Sequence, residues 1–320
     1  MSFRLGLAAA RVAALGGVVT LGIGSAQAAQ ARPELNTVHV GCSVSALSSA
    51  ISGATDGETI ELWPGCVYTL SAALPDITNT LTIVGNNDTI ARSSAPDTPS
   101  FSILTVDGGE GEGNLTLDRV NFSNGGGLSN DYGGAIDNGG YLTVHGGVFR
   151  GNYNDEYGGA IYNDGTMTVS NATFTGNTTD DEYGGAIYND DTATVSDTTF
   201  SGNGHGTYEG GAIYNDDTLT ATDDTFSGNS AEYGGALYND DQATLTRGHM
   251  MRNTVGYDGG AIYNDDTLTV NRTVIYSNVA AVDGGGIYND DETVTLNGAL
   301  IYANHPDNCD PVGTVAGCST

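Results

Sequence analysis

The chain has 320 residues, of which 39 are acidic; it has nine arginines and no lysine, giving a formal net charge of −30. A surface this acidic repels nucleic acid and anionic lipid, and it favours solubility and bound cations. With 48 glycines and apolar residues at regular spacing, the chain is not a disordered acidic tail, which would lack such spacing.

Residues 1–28 read as a secretory signal peptide. Arg4 and Arg11 sit in or beside an apolar run that reaches Ile23, and Ala26-Gln27-Ala28 is an A-x-A cleavage site, with Ala29-Gln30-Ala31 a second option. The run is too short, and too broken by glycine, to span a bilayer. Cleavage removes two arginines and no acid, so the mature balance is 7 − 39 = −32. The expectation is a secreted, extracellular protein that meets neither membrane nor nucleic acid.

Residues 29–57 differ in texture from the rest. Val44, Leu47 and Ile51 stand at helical spacing, which predicts a short amphipathic helix. It is similar to the helix that caps the open end of many secreted β-helices. Such a cap is needed because an uncovered solenoid end exposes both core and strand edges. Residues 58–125 read as irregular early coils, with strands at Thr59–Leu62, Leu81–Ile83 and Leu115–Leu117. Phe122 follows Leu115 at the same interval at which Phe149 follows Leu142, so the repeat starts before its first glycine pair.

From Gly133 the chain is periodic. Glycine pairs begin at Gly133, Gly158, Gly184, Gly210, Gly234, Gly259 and Gly284, with spacings of 25, 26, 26, 24, 25 and 25. A fixed period of this size is the signature of a solenoid. Within the unit Gly158–Asn177, alternation puts Ile161 and Asn163 on one face and Ala160 and Tyr162 on the other. Asp164-Gly165 is a turn, and Met167 and Val169 then alternate with Thr166 and Thr168 as a second half-buried strand. Phe174 and, three residues later, Asn177 complete the unit. The last unit carries one extra residue near Glu292. Two or three short strands per coil predict an all-β, single-stranded, right-handed parallel β-helix over residues 58–304, with regular repeats at 133–304, about 10–11 coils, and a C-terminal tail at 305–320. Equivalent residues then stack about 4.8 Å apart. Phe149, Phe174, Phe200 and Phe226 form an inner aromatic column, continued by Met250, Ile275 and Ile301. Asn163, Asn189, Asn215, Asn239, Asn264 and Asn289 form one inner amide ladder, and the series Asn152 to Asn304 forms another.

Paired G-G-A-[IL] and F-x-x-N motifs resemble the polymorphic outer-membrane-protein repeat of right-handed, pectate-lyase-like β-helices. The resemblance covers about residues 115–304, with Met250, Ile275 and Ile301 replacing the phenylalanine late in the series. It implies a secreted or surface-displayed protein, and some of its members are adhesins. The outer-membrane adhesins end in a membrane barrel, for which the residues after Asn304 are too few, so that anchoring is not carried over.

The four cysteines are an even number in an exported chain. Cys42–Cys66 and Cys309–Cys318 would each pin one end, though four cysteines allow three connectivities. Three outward features are candidate sites. The first is the acid corner after the Asn ladder, with Asp191, Asp217, Asp241, Asp266 and Asp291 each following another aspartate. Carboxylates stacked one strand apart repel by roughly 0.9 kcal/mol per pair in water, and Ca2+ would relieve that. The second is a tyrosine column, Tyr162, Tyr188, Tyr214, Tyr238, Tyr263 and Tyr288, able to stack on sugars or anchor a protein. The third is a Thr-x-Thr array that loosely resembles the grids of ice-binding solenoids. A catalytic constellation is not expected. Lyases of this fold need a basic residue beside a carboxylate, and the arginines form no column. Gly204-His205-Gly206 and Asp180-Asp181 are only faintly similar to polygalacturonase motifs, and their R-x-K element has no counterpart in a chain without lysine. The reading is a non-catalytic protein with a surface, matrix or adhesive role toward an extracellular glycan or protein. Calcium is a candidate ligand and no other cofactor is required. The alternative is a polysaccharide lyase or an inverting glycoside hydrolase.

Overall fold

A computed structural model describes residues 36–109, 113–127, 132–180, 182–290 and 292–318. The signal-peptide expectation for 1–28, Asp181 and Asp291 lie outside the described residues. The rest forms a right-handed parallel β-solenoid of about 11 turns.

The coil from Gly158 shows how residue choice makes the turn. Its strands are Ile161–Asn163, Thr166–Ser170, Thr173–Thr175 and Thr178–Thr179. Each pairs in parallel with its counterpart one coil away where the ladder continues, for example Ile161 with Ile187, Thr168 with Thr194 and Phe174 with Phe200. The Ile161-type strands form a 9-stranded sheet, and the second and third strands of each coil share a 19-stranded sheet bent at a corner. That corner residue lies in the left-handed region whatever its identity, from Asn171 (φ 56°) to Arg272 (φ 53°). The glycine pair closes the coil. Gly158 has φ +64°, and a Cβ on it would lie 2.2 Å from the Ile161 carbonyl oxygen; a Cβ on Gly159 would lie 2.2 Å from the Gly185 oxygen. Neither position can hold a side chain without displacing backbone.

The core is a set of files. Phe122, Phe149, Phe174, Phe200 and Phe226 stack at 5.2, 4.6, 5.0 and 4.8 Å between ring centroids, and Met250 and Ile275 continue them, fully buried. Each buried ring contributes roughly 1.5–3 kcal/mol. Both amide ladders run as expected. Asn138, Asn163, Asn189, Asn215, Asn239 and Asn264 each donate from Nδ2 to the Oδ1 of the next, at 2.6–2.9 Å, ending on Asn289. The Oδ1 of Asn138 has no partner because the preceding coil offers Val106 at that place. The second ladder runs from Asn152 to Asn304, and its Nδ2 atoms also satisfy core carbonyls such as that of Phe174. The extra residue of the last unit is visible too. Asn289 reaches the Glu292 carbonyl, three residues on, where Asn264 reaches Asp266, two residues on.

Two expectations need correction. Ala160 does not share the outer face with Tyr162: Ala160 and Ile161 are both fully buried, because the chain is still turning its corner there and strict alternation begins only at Ile161. The first rung also starts earlier than the 58–304 boundary. Thr37–Val40 pairs in parallel with Thr59–Leu62, so the helix Val44–Ser52 is inserted within the first turn, with Leu47 and Ile51 buried. Cys42–Cys66 ties that turn together, Cys309–Cys318 closes the other end, and Cys309–Asp310 adds a final short strand beside Ile287–Tyr288.

Candidate functional site

On the outer side of the Ile161-type strands, Tyr162, Tyr188, Tyr214, Tyr238, Tyr263 and Tyr288 stack at 5.4, 5.0, 5.1, 4.7 and 5.0 Å. The column is not an open aromatic row. The loops before Gly133, Gly158 and Gly184 fold back and lay further tyrosines over it: Tyr132 lies 4.8 Å from Tyr162, Tyr157 4.9 Å from Tyr188, and Tyr183 4.9 Å from Tyr214. Tyr214 and Tyr238 are left 8% exposed. A buried phenol needs a partner, and the acid corner supplies it. Tyr162, Tyr188, Tyr214 and Tyr238 donate to Asp190, Asp216, Asp240 and Asp265 of the following coil, at 2.9, 3.1, 3.2 and 3.5 Å. Burial, reinforced by these carboxylates, pushes the tyrosine hydroxyls far above their ordinary range. Burial and neighbouring acids also raise Asp164, Asp190, Asp216 and Asp265.

The second aspartate of each pair, the predicted cation ligand, is placed differently. Asp191, Asp217 and Asp266 accept the hydroxyls of Thr192, Thr218 and Thr267 at 3.0, 2.9 and 2.9 Å. Asp241 is raised by burial and by Asp266 and Asp217. These residues form a file, one per coil, rather than a shared coordination sphere. Among the described residues, three metal-ligating atoms come within 4.8 Å of one another only at Asp283, Asp307 and Asp310, a grouping that sequence spacing does not announce because Asp307 and Asp310 lie outside the repeat. Ion pairs among the described residues join His39 to Glu61, Arg119 to Asp118 and Arg247 to Asp223. None neutralises the acid corner.

Of the two faint polygalacturonase-like motifs, Gly204-His205-Gly206 lines a cavity of about 370 Å³ together with Thr207, Ser230 and Glu232 among others, and Asp180 is not among its lining residues. Paired-carboxylate hydrolysis needs two flanking acids, and among the described residues Glu232 is the one carboxylate that lines it.

The threonine array is more regular than its sequence suggests. In register, a threonine occupies the same rung position in every coil from Thr37 through Thr59, Thr82, Thr116, Thr143, Thr168, Thr194, Thr220, Thr244 and Thr269 to Thr295. The flanking outward positions from Thr166 to Asn271 carry Thr, Ser, Gln and Asn and no charge.

These files are the geometry of a right-handed β-helix, and the comparison with known families agrees. Residues 104–248 match the family model described as right handed beta helix region. Coils beyond Gly248 continue the same register. No curated protein and no solved structure matches the chain. The finer likeness to polymorphic outer-membrane-protein repeats rests on the G-G-A-[IL] and F-x-x-N motifs alone. No helix among the described residues is long and apolar enough to cross a membrane.

Proposed function

We propose that the protein is a secreted, non-catalytic binding scaffold whose acidic, tyrosine-backed edge engages an extracellular glycan or protein through cations, Ca2+ among them, in a surface, matrix or adhesive role. The observation that supports this most is the outer aspartate file, one per coil, in which Asp191, Asp217 and Asp266 are each anchored by the neighbouring threonine hydroxyl. It sets carboxylates at the strand repeat, and no ion pair among the described residues neutralises them, so a cation from outside relieves a repulsion built into the fold. The test is a glycan and matrix-protein binding screen with and without a calcium chelator, repeated with Asp191→Asn, Asp217→Asn and Asp241→Asn combined. Binding should fall with chelation and in the triple variant. Binding indifferent to both would overturn the reading.

The charge-free threonine face favours a second reading. A grid of hydroxyls and methyls repeating at about 4.8 Å is close to the oxygen repeat of ice surfaces, and it stands out in a chain of net charge −30. If it binds ice, the protein should slow the coarsening of polycrystalline ice, and Thr194→Lys with Thr220→Lys should abolish the effect. Ordinary coarsening with the unmodified protein removes this reading.

A further inference from the structure

Two aromatic columns run along the solenoid, and only one of them carries hydroxyls. The inner column is phenylalanine, which stacks with no polar group to satisfy. The outer column is tyrosine. At Tyr214 and Tyr238 it is nearly as buried, yet every ring from Tyr162 to Tyr238 sends its hydroxyl to an aspartate carboxylate. Stacking alone does not call for that arrangement, since a phenol and a carboxylate both cost desolvation. Three of the pairs, Tyr162 with Asp190, Tyr188 with Asp216 and Tyr214 with Asp240, stand at 2.9–3.2 Å, within reach of direct proton transfer. Burial raises Asp190 and Asp216, which makes them better proton acceptors.

The column also has entries from the surface. Tyr257 is 45% and Tyr208 37% exposed. Tyr257 stacks on Tyr233 at 5.1 Å, and Tyr233 meets Tyr263 of the column at 5.6 Å. Tyr208 meets Tyr183 at 6.3 Å, and Tyr183 meets Tyr214 at 4.9 Å. Glu209 stands in the covering row between Tyr183 and Tyr233, where its neighbours carry tyrosine, so the two routes pass on either side of it. From Tyr162 to Tyr288 no step between column rings exceeds 5.4 Å. Among the described residues no carboxylate holds the hydroxyl of Tyr208 or Tyr257. No thiol competes for an oxidant, since all four cysteines are in disulfides.

We propose that the tyrosine column carries oxidising equivalents: a one-electron oxidant that meets Tyr208 or Tyr257 draws an electron from the column, and each carboxylate-held ring passes its phenol proton to its own aspartate. The exposed tyrosine first loses an electron to the oxidant and its proton to water. It is restored by a proton from water and by an electron that comes from Tyr214 by way of Tyr183, while the Tyr214 O–H bond breaks and its proton goes to Asp240 Oδ2. A further step moves the radical one coil. Tyr188 gives the electron, its proton passes to Asp216 Oδ2, and Tyr214 takes its own proton back from Asp240. The net change is one electron lost by the column and one proton held at its edge. A carboxylate is a stronger base than water, so the radical is more stable on the carboxylate-held rings than on the exposed ones, and it settles inside. The step uses the first aspartate of each pair and not the outer file, so it goes beyond the cation reading and does not depend on it.

The experiment is flash oxidation of the full chain by photogenerated tris(bipyridine)ruthenium(III), with the tyrosyl radical followed by its optical absorption and its EPR spectrum. The radical should outlive that of N-acetyltyrosinamide under the same flash, because buried rings cannot couple between molecules. Asp190→Asn, Asp216→Asn and Asp240→Asn combined keep an acceptor oxygen for each phenol and remove the base. The radical should then stay on exposed rings, its lifetime should fall at least tenfold, and dityrosine-linked dimers should appear. Tyr162→Phe, Tyr188→Phe and Tyr214→Phe combined keep the stack, remove the three rings within proton-transfer reach, and should give the same fall. A lifetime unchanged in the asparagine variant, or a radical in the unmodified protein no longer-lived than that of N-acetyltyrosinamide, overturns the proposal. The phenylalanine variant decides alone if thermal melts show that the asparagine variant does not fold. Asp191, Asp217 and Asp241 are intact in both variants, so chelator-sensitive binding stands or falls separately from the column.

Discussion

Asn203→Leu should remove a large share of the folding free energy of the solenoid. The Asn203 side chain accepts from the backbone N–H and the Nδ2 of Asn177, both at 3.0 Å, and it donates to the Phe174 carbonyl at 3.1 Å and to Asn229 Oδ1 at 2.9 Å. All of these groups are buried. Leucine is similar in size, fills the space and satisfies none of them. The Asn177 N–H and the Phe174 carbonyl lose their side-chain partner, while Asn177 Nδ2 keeps the Phe149 carbonyl and Asn229 Oδ1 keeps the N–H of residue 203; at about 1–3 kcal/mol for each stranded group the loss is a large share of the roughly 5–15 kcal/mol that stabilises a whole domain. Asn203→Ala should cost less, because the vacated space is polar and can take a water with several partners. Asn304→Ala should cost least: Asn304 ends the ladder at 9% exposure, and its outer partner is Asn308. In thermal melts Asn203→Leu should unfold first, Asn203→Ala next and Asn304→Ala last. If Asn203→Leu melts with the unmodified protein, the ladder is decoration and not structure. Because stability in a solenoid passes between nearest neighbours, the break should also divide the melt of Asn203→Leu into two transitions.

The features legible in the sequence are those fixed by periodicity. Phe149 to Phe226, both asparagine files and the residue inserted near Glu292 all follow from counting offsets, because parallel coils in register turn equal offsets into contact. The cysteine pairs are legible as one of three options, and the ends of the fold choose between them. Three other features escape offset counting, for different physical reasons. Ala160 turns inward because Gly158, two residues earlier, bends the chain at positive φ, and alternation rules do not survive a corner. The covering tyrosines Tyr157 and Tyr183 keep a fixed offset before their glycine pairs, and what that offset does not show is that their loops fold back and lay each ring over the next coil's tyrosine. Glu209 is legible only as an exception. It sits directly before a glycine pair, where Tyr132, Tyr157, Tyr183 and Tyr233 also sit, and the departure of one residue from a series is itself a signal. The acid corner looks like one feature in the sequence and is two in the fold. The first aspartate of each pair is committed to a tyrosine hydroxyl, and only the second lies on the outer file.

The unmodified protein should be more stable at pH 5 than at pH 8, and Asp224 should supply the largest single share of the difference. Asp224 is buried at 1% exposure on the corner file between the second and third strands. Its Oδ1 accepts the Thr198 N–H at 2.8 Å, but its Oδ2 has no partner. On the same file, Thr198 and Thr273 use a hydroxyl to accept the N–H of Ala172 and Gly248 at 3.3 and 3.2 Å, so a neutral acceptor suffices there and the second carboxylate oxygen is surplus. Burial, with Asp197 and Asp223 close by, pushes the Asp224 carboxyl from 3.8 to about 7. Between those limits the folded chain holds a proton that the unfolded chain has released. Stability therefore falls as pH rises through the window, by up to about 1.4 kcal/mol per pH unit and about 4 kcal/mol in all. Glu209, Asp190, Asp216 and Asp265 are raised as well and add in the same direction; Asp223, lowered by Arg247, opposes them but is exposed and weakly coupled to folding. Asp224→Thr should raise the melting temperature at pH 8, leave it nearly unchanged at pH 4, and flatten the slope between them without abolishing it. Equal slopes for the variant and the unmodified protein, measured by denaturant unfolding across that range, would show that Asp224 is ionised and solvated in the folded chain, and that the strain lies elsewhere along the acid edge.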